Sequence, residues 1–522
     1  MVKTIRHIAV VACMAVIATA CAGPSTAYRT QINQKIARGD LGGALAQVEA
    51  SKNKQYSKKN AVLYYLDKGA LLYDLRQYKE SDIALAEADR LMEELFTRSI
   101  TRGIGTVLLN DNTTEYGGEI FERAIMHTYR AMNYVQQNNK DEALVEARRV
   151  TSFLSRYNQY MQGRSGYKDS PFAQYLSAML YEEAGEVDDA RIAYDAFKKA
   201  SSGNFSYLDS RTPRPGMSPS NSGRKGQITG RRGEKPSSRR RRNAALNNSF
   251  DDLMGEDSDS DGNTVEETRT TAANLPASSD NLFGTPEYRD LARSGVGEIV
   301  LIHYNGPAPM KISRTFQVAW DTARAYVAQS GESNAKYENA IRSGFTRHSI
   351  TVAYPEYTQQ PYMIETSQMS TDDGNSVRSL LMEDIAKEAR ETLAAKKDAI
   401  WARAVARATI KFVIAEAAAE AARKAAEEAA KKNNDNPLFG LMGSLAGAAL
   451  RTGAAVTEVA DTRGWTTVPA QIRIARMTAK PGLQNIKIDF MNAAGMIIGS
   501  QIFEDVNVVA GKRTYLHVRT AM

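Results

Sequence analysis

The sequence contains only two cysteines and five histidines among 522 residues. Cys13 and Cys21 both lie near the N-terminus, so no disulfide can link distant parts of the chain. A zinc site built from thiolates and imidazoles is therefore not expected. The histidines beyond residue 20 are isolated from one another: His127, His303, His348 and His517. The sequence predicts no metal site and no cofactor.

Motifs of common enzyme classes are also absent. The chain has no His-Glu-x-x-His zinc pair, no Gly-x-Ser-x-Gly nucleophile turn and no Gly-x-x-x-x-Gly-Lys phosphate loop. Carboxylates are plentiful, but no pair of them is marked out by its position. We therefore predict that the protein is not an enzyme and has no catalytic residue.

One short apolar run, from Ile8 to Ala18, lies at the N-terminus behind the basic residues Lys3 and Arg6. It leads into Ala18-Thr19-Ala20-Cys21, and small residues directly before a cysteine are typical of a bacterial lipoprotein signal. Residues 1–20 are predicted to be the signal peptide, cleaved after Ala20, with Cys21 acylated. An ordinary signal peptide and an uncleaved anchor are the alternatives, but the run is shorter than the roughly 20 residues of a membrane span.

The charge and the anchor together indicate a location. The net charge of +7 falls to +5 once Lys3 and Arg6 are removed, which is too mild to imply a nucleic-acid partner. Acyl chains on Cys21 would attach the protein to a membrane. Ala22 stands where an aspartate would favour inner-membrane retention, so we expect the periplasmic face of the outer membrane. Residues 21–27 form a short tether.

Residues 28–200 have a recurring pattern of helix, short turn and helix, with small residues where the helices cross. Three segments superimpose when Ser81, Ala143 and Ala190 are aligned, and a fainter copy contains Ala44. This spacing resembles the tetratricopeptide repeat and predicts an all-α repeat domain. The offsets of 62 and 47 residues exceed the usual repeat of about 34, which implies inserted loops. A plain helical bundle is the alternative.

Stacked repeats would form a concave groove for a partner protein. The resemblance to tetratricopeptide repeats places six residues on or near this groove: Tyr73, Met132, Val135, Met179, Glu182 and Glu183. Met132 and Met179 can equally be core residues. The glycine-rich insert at 97–119 is either a functional loop or a lid over the repeats.

Residues 201–283 are poor in apolar residues, which predicts a disordered linker. An arginine-rich half precedes an aspartate-rich half, and the basic half suits anionic headgroups or cell-wall polymer better than nucleic acid. The aspartates at 257, 259 and 261 begin like a calcium loop, but Thr268 stands where a bidentate glutamate is needed. We interpret the acidic half as low-complexity sequence.

Residues 284–522 are predicted to form an α+β domain with an antiparallel sheet. Strand patterns at its two ends flank a helical insertion at about 377–450, and a further helix is predicted from Thr315 to Tyr337. The predicted architecture is thus multidomain, with a repeat domain followed by an α+β domain. Strand patterns cover 297–304, 349–354, 471–477, 486–490, 496–503 and 514–518.

Several stretches resemble a family of exported bacterial tetratricopeptide lipoproteins of uncharacterised function. They are 116–118, 121–123, 129–131, 143–149, 304–311 and 460–465, on both sides of the linker. The resemblance implies an association with other outer-membrane lipoproteins, similar to the curli secretion channel and to activators of penicillin-binding proteins. It implies a place in envelope assembly or export and no biochemical activity.

The sequence therefore predicts a non-enzymatic adaptor or scaffold, anchored through Cys21, that binds envelope proteins, another outer-membrane lipoprotein among them, in its repeat groove. A second hypothesis is a structural subunit of an oligomeric outer-membrane complex. A third is a cell-wall enzyme or polymer-binding module in the C-terminal region.

Overall fold

The computed structural model describes most of the two regions predicted to fold. The described residues are 24–102, 114–161, 166–201, 295–319, 349–432, 441, 445 and 459–522. Ala20, Cys21, nearly all of the predicted linker and most of 433–450 lie outside them. Among the described residues, those of 24–200 and those from 295 onward belong to one compact unit. The structure thus differs from the prediction of a helical domain and a separate α+β domain, because the two regions share one core.

Eight α-helices occupy the described part of residues 24–201. They are α1 (Thr26–Ala37), α2 (Leu41–Ala50), α3 (Ala61–Asp74), α4 (Tyr78–Arg102), α5 (Ile120–Gln136), α6 (Lys140–Tyr160), α7 (Pro171–Ala184) and α8 (Val187–Ser201). Short turns join them into four consecutive pairs. A π-helical turn (Lys52–Tyr56) and a 3-10 turn (Lys58–Asn60) separate the first pair from the second.

The four pairs share two local features. A residue with left-handed backbone conformation lies two positions before the second helix of each pair: Gly39, Arg76, Asn138 and Gly185. A small buried residue lies at the fourth position of each second helix: Ala44, Ser81, Ala143 and Ala190. At the second of these crossings the Ser81 hydroxyl donates to the carbonyl oxygen of Gly69 at 2.8 Å, so the two helices approach closely.

The described part of the C-terminal region contains ten strands and two helices. They are β1 (Gly297–Pro307), β2 (Met310–Ala319), β3 (Ser349–Thr358), β4 (Thr366–Thr371), β5 (Ser376–Arg378), β6 (Leu380–Asp384), α9 (Ile385–Ala395), α10 (Lys397–Lys432), β7 (Pro469–Ala479), β8 (Gly482–Met491), β9 (Ile497–Val508) and β10 (Arg513–Thr520). The first sheet has the order β10-β1-β7-β6, the second is the hairpin β2-β3, and the third has the order β5-β4-β8-β9.

Strand β1 lies at the centre of the shared core and is buried along its whole length. Its alternate side chains point to opposite faces of the first sheet. Val300, Ile302 and Tyr304 pack in the core formed with the helices. Ile299 and Leu301 pack in a second core with strands of the third sheet. The first sheet therefore separates the helices from the third sheet, which explains the nearly continuous apolar sequence of β1.

Three sequence predictions about this region need correction. The sheet is not wholly antiparallel, because β1 and β10 pair in parallel. The helical insertion begins at Ile385 rather than at 377, because Val377 and residues 380–384 pair as strands. Residues 315–319, predicted as the start of a helix, belong to β2, and the rest of that prediction lies outside the described residues. The remaining strand segments are confirmed, and the described part of the predicted helical insertion contains two helices, α9 and α10.

Candidate functional site

The six residues predicted to line the partner groove do lie on one side of the helices, but the chain's own strands cover that side. Tyr73, Met132 and Met179 are fully buried. Glu182 is buried beside β10, Val135 is partly buried, and the Glu183 carboxylate lies 2.7 Å from Lys140 Nζ. Tyr73, Met132, Met179 and Glu182 are therefore closed to a partner in this structure, whereas Val135 and Glu183 keep part of their surface exposed.

An aromatic cluster forms the centre of this covered face. Tyr73 of α3, Tyr129 of α5 and Tyr304 of β1 are in mutual contact, with ring centroids 4.9–5.6 Å apart. His517 of β10 lies 4.5 Å from the ring of Tyr73, and Trp465 lies 5.8 Å from that of Tyr129. Each ring buries a large apolar area in well-packed surroundings. The cluster is therefore a major apolar contact between helices and sheet.

A buried network of two carboxylates and two guanidinium groups lies beside the aromatic cluster. Glu298 of β1 accepts hydrogen bonds from Arg476 of β7 at 2.9 Å and from Arg513 of β10 at 2.6 Å. Both arginines also reach Glu182 of α7, at 3.3 and 2.5 Å. Burial alone would raise the pKa of Glu298, but the two arginines outweigh it and lower this pKa to about 2. The network is balanced in charge and joins three strands to a helix.

A segment that we call the strap, residues 460–468, runs along the helices before β7 begins. Asp67 of α3 accepts the backbone N–H groups of Thr466 and Thr467 at 3.0 and 2.9 Å. Glu122 of α5 accepts the N–H of Trp465 at 2.6 Å. Burial raises the pKa of Asp67 to about 6 and also raises the pKa of Glu122. Two buried carboxylates thus hold three successive backbone donors of the strap.

Further polar contacts fix the start of the strap and the hairpin β2-β3. Arg463 Nη1 donates to the carbonyl oxygen of Thr114 at 2.8 Å, and its guanidinium pairs with Asp461. Glu119, at the start of α5, lies 2.6 Å from Lys311 of β2 and 3.0 Å from Lys396 between α9 and α10. Although burial acts in the opposite direction, the two ammonium groups hold the pKa of Glu119 well below its usual range. Two ion pairs and one hydrogen bond therefore connect the helical region with three separate segments of the C-terminal region.

Asp74, the last residue of α3, differs from these paired carboxylates. Neither of its oxygens has a hydrogen-bond partner, and Arg519 Nε lies 3.9 Å away. Burial raises the pKa of Asp74 to about 7, and Arg519 offsets only part of this effect. The native state therefore favours the protonated form, whereas the unfolded chain ionises near pH 3.8.

Replacing Asp74 by asparagine should change how stability depends on pH. The parent loses stability as pH rises from about 4 to about 7, because its native state must ionise a buried carboxyl. Relative to the parent, the variant should gain about 2–4 kcal/mol in unfolding free energy between pH 4 and pH 8. Urea unfolding at both pH values measures this gain. Asp188→Asn, at an 86% exposed side chain, is the control and should show no such pH-dependent difference.

The helices also present an open cleft of about 220 Å³ on a different side, between α4, α5 and α6. At its base, His127 Nδ1 lies 2.8 Å from Glu146, and Arg123 pairs with Asp89 at 3.0 Å. At its mouth, the side chains of Arg149 and Arg156 are 50% and 60% exposed. The cleft is lined by Asp89, Glu93, Arg123, His127, Arg149, Ser152, Phe153 and Arg156.

The chemistry available in the described residues is limited. No group of three or more His, Cys, Asp or Glu side chains is placed to bind a metal ion within the described part of the chain. None of the helices there combines the length and apolar character that a membrane span requires. Cys21 and Ala20, predicted as the lipidation and cleavage sites, lie outside the described residues. His303 contacts the hydroxyls of Ser367 and Thr520 at 3.0 and 2.7 Å, as expected of a structural histidine.

Sequence reasoning missed the buried charges that join the two regions: Asp67, Asp74, Glu119, Glu122, Glu298, Lys311, Arg476 and Arg513. One signal was present, since Asp67 interrupts an apolar run and Glu298 directly precedes one. A charged residue in such a run is rarely fully buried unless it is paired. The residue that pairs with such a charge lies hundreds of positions away in the sequence, so the local pattern cannot identify it.

The comparisons with known proteins add no relative to this description. No protein-family model matches the chain, and no curated protein sequence is significantly similar to it. The function is therefore argued from the geometry of the chain itself.

Proposed function

We propose that the protein is a lipid-anchored structural scaffold of the bacterial envelope, held at the periplasmic face of the outer membrane by acylated Cys21. One observation carries this proposal: the inner face of the helix pairs is filled by the chain's own sheet and strap. Because the chain's own strands fill the inner face of its helix pairs, the protein offers partners the outer surface of one compact unit rather than an empty groove. It acts without enzymatic chemistry.

The proposal includes tetratricopeptide-like repeats as the framework of the helical region. The support is the recurrence, in all four pairs, of a left-handed residue before the second helix and a small buried residue at its fourth position. Equivalent positions with equivalent roles are what stacked helix pairs require. The unequal spacing of the pairs is accommodated by segments such as 103–113 and 162–165, which lie outside the described residues.

Partners of the scaffold contact its outer surfaces. The cleft between α4, α5 and α6 is the concave outer feature that we assign to this role, because Arg149 and Arg156 at its mouth are about half exposed. Arg149 lies 3.3 Å from Glu146 and Arg156 lies 3.8 Å from Glu93, so a partner meets guanidinium groups that ion pairs within the chain already orient. Exposed arginines are enriched in protein interfaces. Envelope proteins, including a second outer-membrane lipoprotein, are the partners proposed, in envelope assembly or export.

A pair of photo-crosslinking positions tests the scaffold against a groove-binding adaptor. A photoreactive residue at Arg156 reports on the outer cleft, and one at Val135 reports on the covered face. In intact cells, the scaffold predicts a discrete intermolecular adduct from position 156 and none from position 135. Adducts from position 135 and none from position 156 would refute the scaffold.

Cys21→Ser should release the protein from the membrane fraction, and retention of this variant would refute the lipid anchor.

A further inference from the structure

The outer edge of the third sheet is formed by β9, a strand of twelve residues. Among the described residues, β9 pairs with β8 on one side and with no strand on the other. Such an edge presents a row of backbone N–H and C=O groups that another strand can pair with. The opposite edge of this sheet, β5, has only three residues and is therefore a poor template.

The first seven residues of strand β9 lack two of the features by which natural proteins protect an edge, namely charge and proline. The stretch from Ile497 to Phe503 contains no charged residue and no proline. The side chains of Ile497 and Ile502 are 54% and 58% exposed, and that of Met496 just before the strand is 60% exposed. An exposed edge whose first half is uncharged and partly apolar is a template on which another chain can pair.

We propose that β9 pairs antiparallel with β9 of a second copy of this chain, about a two-fold axis at Ser500. The two four-stranded sheets would then form one sheet of eight strands. This inference deepens the scaffold role proposed above, on which it rests, by naming a second copy as one partner. A two-fold interface is self-complementary, because the same strand lies on both sides.

The sequence of β9 is suited to such self-pairing. Ser500 lies opposite its own copy, while Ile497-Ile498 on one strand faces Ile502-Phe503 on the other. Apolar side chains therefore meet apolar side chains on both sides of the axis, and such cross-strand pairs stabilise sheets. A strand from an unrelated protein would match this arrangement only by chance.

The charges at the end of β9 are compatible with the same arrangement. Glu504 and Asp505 would lie opposite Met496 and Gly495 of the second copy, so no two carboxylates face each other. Asp505 has a left-handed backbone, with φ of 53°, and the pairing of β8 with β9 shifts register between Gln484 and Ile486. A second shift, between Phe490 and Met491, leaves Ile498 as an extra residue on β9. The regular part of the edge therefore runs from Gly499 to Phe503, which contains Ser500 and confines the new pairing to the uncharged stretch.

Disulfide crosslinking of the purified full chain tests the register. With Cys13 and Cys21 replaced by serine, Ser500→Cys introduces a single thiol at the axis. Its Cα should lie about 5 Å from that of the second copy, which is within reach of a disulfide. Ala494→Cys, in the exposed β8-β9 turn, is the control, because its two copies would be roughly 40 Å apart. Mild oxidation should yield the dimer from the first variant only.

Sedimentation over a concentration series tests the same edge without crosslinking. Ile502→Lys places a charge on the edge and should weaken the dimer about tenfold or more. Leu483→Lys, at a 66% exposed leucine of the inner strand β8, should leave the dimer unchanged. A monomeric parent, equal oxidation of the two cysteine variants, or a dimer insensitive to Ile502→Lys would overturn the inference. Crosslinks from Arg156 in cells would still stand, so this failure is distinct from failure of the scaffold.

Discussion

Replacing Glu298 by alanine should lower the free energy of unfolding by about 3–5 kcal/mol. The carboxylate is fully buried and lies within 3 Å of both Arg476 and Arg513. Its removal leaves two buried cations with one carboxylate, Glu182, between them. The cost arises less from the lost attraction than from the uncompensated charge left in the core.

Urea unfolding at pH 7 measures this loss, and the exposed pair of Glu87 with Arg90 provides the control. Glu87→Ala should cost no more than about 1 kcal/mol, since the side chain of Arg90 is 58% exposed. The pH dependence gives a second readout. The native pKa of Glu298 is about 2 and its ordinary value 4.5, so its contribution is present above pH 4.5 and is lost toward pH 2. Equal losses in the two variants would contradict the prediction.

The double variant Asp67→Ala with Glu122→Ala should release the strap from the helices. The two carboxylates accept the backbone N–H groups of Trp465, Thr466 and Thr467. Buried donors left without acceptors cost about 1–3 kcal/mol each. The strap should therefore open more often. If the free energy needed to open it falls by about 2.7 kcal/mol, the open population rises about 100-fold.

Limited proteolysis measures how often the strap opens. Arg463 within the strap is only 4% exposed, so trypsin reaches it only when the strap leaves the helices. Trypsin should cut after Arg463 about 100-fold faster in the double variant, since cleavage of a transiently opened segment follows its population. The new N-terminus would begin at Gly464. Glu49→Ala, which breaks an exposed pair with Lys68, is the control and should not alter this cut. An unchanged cleavage rate in the double variant would mean that other contacts hold the strap.

Local patterns predicted the helix pairs and most strands because these depend on nearby residues. Small residues at Ser81, Ala143 and Ala190 mark helix crossings, and Gly185 permits the left-handed turn between α7 and α8. Arg76 takes the same conformation without being Gly or Asn, so composition did not mark that turn. The sequence therefore predicted correctly those helices and strands whose conformation depends on their own residues.

The covered face could not be predicted in the same way. Amphipathicity shows that a helix face is buried but does not say what covers it. Residues of α3 from Val62 to Asp74 are buried nearly all round, which is the pattern of a helix covered on both sides rather than one bordering an open groove. Tyr73 and Met179 were therefore correctly placed on one face and wrongly assigned to an external partner.

The distance along the chain between contacting elements has a consequence for folding. Strand β1 pairs with β10 more than 200 residues later, and Asp67 binds the strap about 400 residues away. Chains rich in such remote contacts fold slowly, because loop closure costs entropy before the contacts form. During synthesis the helices precede the strands that cover Tyr73, Tyr129 and Met179. The newly made chain therefore passes through a period of exposed apolar surface in which a chaperone would protect it from aggregation.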